Sequence, residues 1–440
     1  MKLWQKDSDV HSSDVEKRIE KFTVGSDKHW DTILAKYDVI GSLAHAEMLS
    51  SVGLITKKEF AEIKSGLNEI LELIQKGRFI IEEGIEDVHS QIEMMLTKNI
   101  GEAGKKIHTG RSRNDQSILD IKLFLRNEII EITRQVSSLF DKLIQLSEKH
   151  KNDLMPGYTH MQLAMPSSFG LWFAAYAESL SDDVEMLIAS YNTANRNPLG
   201  SGAGYGSSFP LDRTLTTDLM KFDALNVNSI YAQMTRGKTE RMVAYGLSVI
   251  ASTLSRFSMD ICLFLNQHFD FISFPANCTT GSSIMPHKKN PDVFELIRAK
   301  CNKIQATPNQ LTLLTANLIS GYHRDVQLTK ECLFPSIFDL KECLDILLLM
   351  LENITVRKEI LNDEKYDCLF SVEAINKLVM SGIPFRDAYK IIANKTENNE
   401  PLREASMPYT HEGSIANLQN EFIVEDFKKR IKNIPKVNNY

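Results

Sequence analysis

The sequence predicts an all-α protein of three domains, with a central bundle of long helices. Three observations predict it. Between Gly110 and Pro156 there is no glycine or proline, and apolar residues recur in steps of three and four from Ile118 through Ile121, Leu125, Ile129, Ile132, Val136, Leu139 and Leu143 to Leu146, the spacing of one helix face. Three more breaker-free stretches with helical spacing run from Leu247 to Phe274, Asp292 to Thr307 and Ser336 to Ser381. Shorter amphipathic segments and a polar C-terminal region flank these rods.

In chain order, Lys57 to Gln75 reads as an amphipathic helix with Thr56 at its N-cap, and Asp87 to Met95 as a second. They belong to a mainly helical first domain, 1–110. The first rod, helical throughout, would be about 45 residues and on the order of 65 Å long, so it requires partners of similar length. The other three stretches supply them and complete a central domain, 111–356. After Val356 the composition turns polar, and Gly382-Ile383-Pro384 punctuates a small C-terminal helical domain, 357–440. Rods with apolar stripes on more than one side bury the surplus against other copies, which predicts a homo-oligomer.

The 440 residues carry a net charge of -6, with 43% hydrophobic and 25% charged side chains. These are globular values, and they leave no basic surplus for a nucleic-acid backbone. The six cysteines stand without CxxC or Cys/His spacing, so the reading is reduced thiols with no zinc site or disulfide framework. The N-terminal MKLWQKDSDVHSSD lacks a signal-like apolar run, and the apolar runs are too short to span a bilayer, so the expectation is a cytoplasmic protein.

Four segments are unlike helix or turn filler. Lys105 to Gln116, KKIHTGRSRNDQ, sets Ser112, Arg113, Asn114 and Asp115 at the start of the long rod, where free N–H groups and guanidiniums suit a carboxylate; the bland alternative is a well-capped helix start. Met155 to Pro166, MPGYTHMQLAMP, places Thr159, His160 and Gln162 in an irregular connection between helices, where a lone histidine is more often structural than catalytic. Gly281 to Pro291, GSSIMPHKKNP, combines hydroxyls, a flexible start and a cationic end, as an anion-binding lid would. Ser320 to Lys330, SGYHRDVQLTK, brings Tyr322, Arg324, Gln327 and Lys330 to one side of a helix start.

No GxGxxG after a strand, GxxxxGK[ST], HExxH or GxSxG is present. The glycine-rich Pro198 to Pro210 has no strand before it and reads as a connection where backbones approach closely.

Together these segments resemble the fumarase/aspartase superfamily, from about Leu3 to Tyr389. GSSxMPxKxNP is the superfamily's motif, whereas EDVHS (Glu86 to Ser90), HTGRSRNDQ (His108 to Gln116), PGYTHMQ (Pro156 to Gln162) and NPLGSGA (Asn197 to Ala203) are similar to its argininosuccinate lyase family. The resemblance implies a homotetramer whose central domains form one large helical core, active sites shared between subunits, no metal or organic cofactor, and reversible cleavage of argininosuccinate to arginine and fumarate. It implies catalytic roles for Ser282, His160, Glu295 and Lys288, with Ser282 or His160 as base and the other as acid. It implies substrate binding by Ser26, His89, Ser112, Arg113, Asn114, Thr159, Arg236, Asn290, Tyr322, Gln327 and Lys330.

The chain departs from the family pattern at four places. His287 stands where glutamine is usual, Leu163 where arginine is frequent, His323-Arg324 where Asn-Lys is usual, and Gly237 where aspartate is expected. His287 is similar to adenylosuccinate lyase, so that enzyme, or another fumarate-releasing lyase, is the alternative. A crystallin-like structural protein that reuses the fold is a third reading, against which the intact Ser282, His160, Lys288 and Glu295 speak.

Overall fold

The computed structural model describes residues 14–403 and 409–435; the N-terminal segment read above for targeting signals lies almost wholly outside them. Helices α1 (Asp14–Val24), α2 (Asp27–Ser51), α3 (Lys57–Gln75), α4 (Val88–Ile100) and the single turn α5 (Glu102–Lys105) precede α6 (Arg113–Lys149). A hairpin, β1 (Leu154–Thr159) and β2 (Gln162–Ser168), leads into α7 (Phe169–Ala194). The pieces β3 (Arg196–Asn197), α8 (Arg213–Leu219), β4 (Ala224–Leu225) and α9 (Ser229–Met234) connect it to α10 (Lys238–Phe264). Next come β5 (Ile272–Ser273), α11 (Asp292–Leu314), α12 (Thr329–Glu352) and β6 (Thr355–Val356), and the chain closes with α13 (Ser371–Met380), α14 (Phe385–Glu397) and α15 (Asn420–Ile431).

The predicted all-α class holds, and the boundaries show where physics overrode pattern. The helix at Lys57–Gln75 starts in a full capping box between Thr56 and Glu59. The long rod ends at Lys149, because Met155 to Pro166 folds into the hairpin and not into an irregular link. His160 and Met161 take φ of 52° and 60°, the two left-handed residues a tight hairpin turn needs. Helix α11 runs through Pro308, where sequence spacing had stopped it. The Ser336–Ser381 stretch is two helices, α12 and α13, separated by β6 and 3₁₀ turns.

Two long helices escaped the breaker-based reading, α2 and α7, since each contains a glycine. Gly41 sits inside α2 because a Cβ there would lie 2.6 Å from Leu119 on α6; the glycine is a contact point between helices and not a break.

The large core is built where α10 packs along α11 and α7, α7 along α6, and α11 along α12. A second, smaller apolar cluster joins α2, α3 and α4 around Ile63, Leu67, Ile92 and Leu96. α10 is long and apolar enough to cross a membrane by composition, yet Leu247, Ile250, Leu254, Phe257 and Ile261 are buried against its neighbours, which makes it a core helix. Arg126, fully buried, donates to Asn195 Oδ1 and the carbonyls of Met220 and Lys221 at 2.8–2.9 Å, tying the α7–α10 connection to α6. All six cysteines are free; only Cys301 and Cys343 are buried.

Candidate active site

The start of α6 is fixed by its own sequence. Ser112 is its N-cap and accepts from Asn114 N at 3.2 Å, while Asp115 Oδ1 accepts from Ser112 N at 2.8 Å. Asp115 Oδ2 accepts the N–H groups of Gly200 and Gly202 at 3.0 and 2.9 Å. The glycine-rich stretch is thus the close backbone approach its composition implied. One buried carboxylate holds both the helix start and that loop.

Beside this start lies a cavity of about 250 Å³, walled by Val24, Asp27, Asp31, Glu86, Asp87, His89, Arg113, Asn114, Ser117, Tyr322, Arg324, Gln327 and Lys330. Six expected binding residues converge there: His89, Arg113, Asn114, Tyr322, Gln327 and Lys330. Ser112 caps the same helix from just behind. Ser26 is different, since its hydroxyl donates to Glu331 at 2.8 Å and its neighbour Asp27 forms the wall.

Opposite charges are paired around the cavity. Arg113 lies 3.6 Å from Glu86 and 3.3 Å from Asp87 and donates to Ser90 Oγ at 2.6 Å. Arg324 reaches Glu86 at 3.2 Å. Lys330, buried, contacts Asp27 at 2.7 Å and Asp31 at 2.5 Å. Burial pushes the Asp27 carboxyl up to about 6 against the pull of Lys330; for Lys330, burial pulls down but Asp31 and Asp27 together outweigh it and raise its pKa.

Beneath the cavity, His89 Nδ1 lies 2.8 Å from Asp38 Oδ1 and 3.7 Å from Asp120 Oδ2. Burial disfavours the imidazolium, but Asp38, Asp120 and Asp87 outweigh it and hold its pKa up at about 10. Burial and Asp38 drive Asp120 well above the ordinary carboxyl range. Asp38, His89 and Asp120 have the donor types of a cation site, yet the imidazolium favoured on His89 and the buried Arg111 guanidinium already face these carboxylates, so the donor set suits an ion-pair cluster better than a metal.

Arg236 is nearly buried and acts as a strut. Its guanidinium bonds Glu240 at 3.0 Å on α10, Ser117 Oγ at 3.0 Å on α6 and the Val326 carbonyl at 2.8 Å. The next residue, Gly237, has φ +74°, and a Cβ there would lie 2.4 Å from Thr315 Cγ2. A side chain at 237, the family's aspartate included, would therefore need Thr315 to shift and a left-handed backbone.

The remaining expected residues lie elsewhere. Thr159 and His160 are exposed at the hairpin tip. In the Gly281 to Pro291 loop, Ser282 and Asn290 are half-buried and Lys288 is exposed, as is Glu295 on the first turns of α11. The loop is closed by a backbone bridge from Thr280 to Asn290, by Asn290 Nδ2 donating to Thr280 Oγ1 at 3.3 Å and the Gly281 carbonyl at 3.4 Å, and by Thr280 bonding Asp292. Ser282 Oγ accepts from Met285 N at 3.2 Å.

Helix directions show how far apart these groups are. α6 has 37 residues and spans about 55 Å, with the cavity at its N-terminus and the hairpin beyond its C-terminus. α10 starts at the cavity end, at Arg236, and finishes near the hairpin, where Phe269 meets Tyr158 edge-on at 5.6 Å. α11 then returns from the Gly281 to Pro291 loop to Thr315 beside Gly237. Hairpin and loop therefore share the end of the bundle opposite the cavity. Sequence reasoning missed Asp27, Asp31 and Asp38 in the cavity and its floor; the available signal was the i, i+4 spacing of Asp27 and Asp31 on a helix that begins beside Ser26.

The lyase family profile matches residues 12–306. The chain is 56% identical over 422 residues to argininosuccinate lyase of Bacteroides thetaiotaomicron, which covers 96% of this chain and 94% of that protein. It is 56% identical over 423 residues to argininosuccinate lyase of Parabacteroides distasonis, with 96% and 94% covered, and 39% identical to that of Thermotoga neapolitana, with 90% and 98% covered. In fold it is similar to EDDS lyase in complex with formate, TM-score 0.75 at 22% identity over 94% of this chain and 90% of that one. It is also similar to class II fumarase from Schistosoma mansoni, TM-score 0.71 at 16% identity over 92% and 91%.

Proposed function

The chain belongs to the lyase family, among the argininosuccinate lyases, and on that premise we propose that it reversibly cleaves argininosuccinate into arginine and fumarate in the cytoplasm. The observation that carries the reading is the convergence of His89, Arg113, Asn114, Tyr322, Gln327 and Lys330 on one cavity, together with half-buried Ser282 and exposed Lys288 and His160 at the far end. About 55 Å of helix separates the two groups, so one chain cannot form a complete site. A homotetramer with antiparallel rods brings the cavity of one copy against the hairpin and loop of others, which completes the site and covers the exposed apolar residues Met161, Leu163, Ile284 and Met285.

In that composite site Ser282 takes a proton from the succinyl CH2, the carbon beside the one that loses the guanidine and next to the carboxylate that becomes the aci-carboxylate. The dianionic aci-carboxylate that forms is stabilised by Lys288 and Asn290 from the same loop and by Thr159. His160, paired with Glu295 of another copy, gives a proton to the guanidine nitrogen as the C–N bond breaks, because so strongly basic a group leaves poorly without one. Arg113, Asn114 and Tyr322 hold the substrate, and Arg236 braces the wall behind them. The steps use side chains only.

The test is direct: purified protein given argininosuccinate is expected to raise the ultraviolet absorbance of fumarate. Release from adenylosuccinate alone would assign the runner-up, and release from neither would leave a structural protein.

A further inference from the structure

Tyr322 lines two cavities. One is the substrate cavity, which Asp27, Asp31, Glu86 and Asp87 face. The other, of about 220 Å³, lies between the start of α10 and the chain that joins α11 to α12, and no carboxylate lines it. Its charged side chains are Arg236, Lys238 and Arg241, with His323 beside them. Arg236 is paired with Glu240 at 3.0 Å. Lys238 is exposed, and its ammonium donates to the Tyr231 hydroxyl at 3.4 Å. Arg241, half-buried in the first turn of α10, has no ion-pair partner among the described residues. Cations at the N-terminal end of a 27-residue helix oppose its dipole, so a bound anion offsets a cost that the chain carries by itself. Gly237 adds to this: where the family pattern has aspartate, between Arg236 and Lys238, this chain has no side chain.

A separate observation identifies the kind of anion. Gln233 lines the same cavity and is 2% exposed. Its Nε2 donates to the Gly202 carbonyl at 3.0 Å and to Ser201 Oγ at 3.3 Å, which leaves Oε1 buried without a donor. A buried acceptor left empty costs about 1–3 kcal/mol, so the fitting anion brings an O–H of its own. Ionised carboxylates and sulfate only accept. Inorganic phosphate keeps an O–H at neutral and mildly alkaline pH while carrying negative charge on its other oxygens.

We infer that this second cavity binds inorganic phosphate, with Lys238 and Arg241 on its charged oxygens and Gln233 Oε1 accepting from its O–H. The size agrees, since the cavity is smaller than the roughly 300–1,000 Å³ that drug-sized ligands occupy and suits an ion of a few heavy atoms. The substrate cavity is not used: its carboxylates repel the anion that this one attracts.

Isothermal titration calorimetry of the full-length protein at pH 8 and fixed ionic strength compares inorganic phosphate, sulfate and methyl phosphate, the last two being dianions without an O–H at that pH. Phosphate is expected to bind at least about 10-fold more tightly than either, because neither offers Gln233 a proton. The double variant Lys238→Ala, Arg241→Ala is expected to bind phosphate at least about 10-fold more weakly, with kcat and KM on argininosuccinate within about twofold of wild type. Sulfate or methyl phosphate binding as tightly as phosphate overturns the inference, as does the absence of any phosphate binding. A double variant that binds phosphate as wild type does places the ion elsewhere and overturns it too. Should that variant fail to fold, the three anions on wild type decide the matter. The readout is binding, so it stands apart from the lyase reading.

Discussion

His89 Nδ1 and Asp38 Oδ1 lie 2.8 Å apart under the cavity, with Asp120 3.7 Å from the same nitrogen. Burial pulls the imidazole pKa down, but Asp38 and its acidic neighbours hold it at about 10. A pKa raised above the unfolded value of 6.5 gives stability that is complete below pH 6.5 and drains away as pH rises toward 10. His89→Gln is therefore expected to be less stable than wild type by about 2–3 kcal/mol at pH 6, with the gap closing by pH 10. Urea unfolding at pH 6, 8 and 10 checks this, and a gap independent of pH would mean a neutral imidazole.

The two aspartates around His89 stand at different distances from its Nδ1, Asp38 at 2.8 Å and Asp120 at 3.7 Å. Burial and the neighbouring Asp38 raise the Asp120 carboxyl, which weakens its share of the ion pair, so Asp120→Asn is expected to cost under about 1 kcal/mol. Asp38→Asn strips the imidazolium of its partner and is expected to cost about 3 kcal/mol or more. Comparing the two melting temperatures tests the order; a reversed order would make Asp120 the main partner of the His89 ring.

The Ser282 hydroxyl accepts from the backbone N–H groups of Ile284 and Met285 in its own loop. Ser282→Ala is expected to lose at least about 100-fold in kcat while size-exclusion elution stays that of the wild-type oligomer. Near-normal turnover would remove the serine from its role.

A composite site predicts complementation between inactive parents. Arg113→Met and His160→Gln, each inactive alone, are expected to regain activity when co-expressed, because mixed oligomers contain some sites with both defects confined to other positions. Mixed tetramers as inactive as their parents would sink the shared-site arrangement.

At Gly237 both φ and Thr315 oppose a side chain. Gly237→Ala is expected to destabilise by about 1–3 kcal/mol and to lower kcat/KM through the adjacent Arg236 strut. Thr315→Ser, which removes the clashing Cγ2, is expected to restore part of the stability lost, as read by thermal unfolding; no recovery would mean that the φ strain alone matters.

Much of the architecture was legible because helical spacing is local. The Lys57–Gln75 helix, its Thr56 cap and the rod after Ser112 follow from residues within a few positions of one another. The hairpin was not legible: Pro156 and Pro166 looked like loop punctuation, whereas the two left-handed residues His160 and Met161 turn the segment into paired strands. Nor were α2 and α7, whose glycines mark where another helix passes close and not where the helix stops.

By itself the sequence determined the all-α class, the lyase family and the four segments that carry the candidate chemistry, because motifs preserve residue type and spacing. Only the tertiary structure decided that Arg113, Asn114, Tyr322, Gln327 and Lys330 share a cavity, that Asp27 and not Ser26 faces it, and that Ser282 and His160 lie at the other end of the bundle. The reason is geometric. Local spacing fixes which face of a helix a residue occupies, whereas the end of a rod it reaches, and what it meets there, depends on the direction in which every helix crosses the bundle.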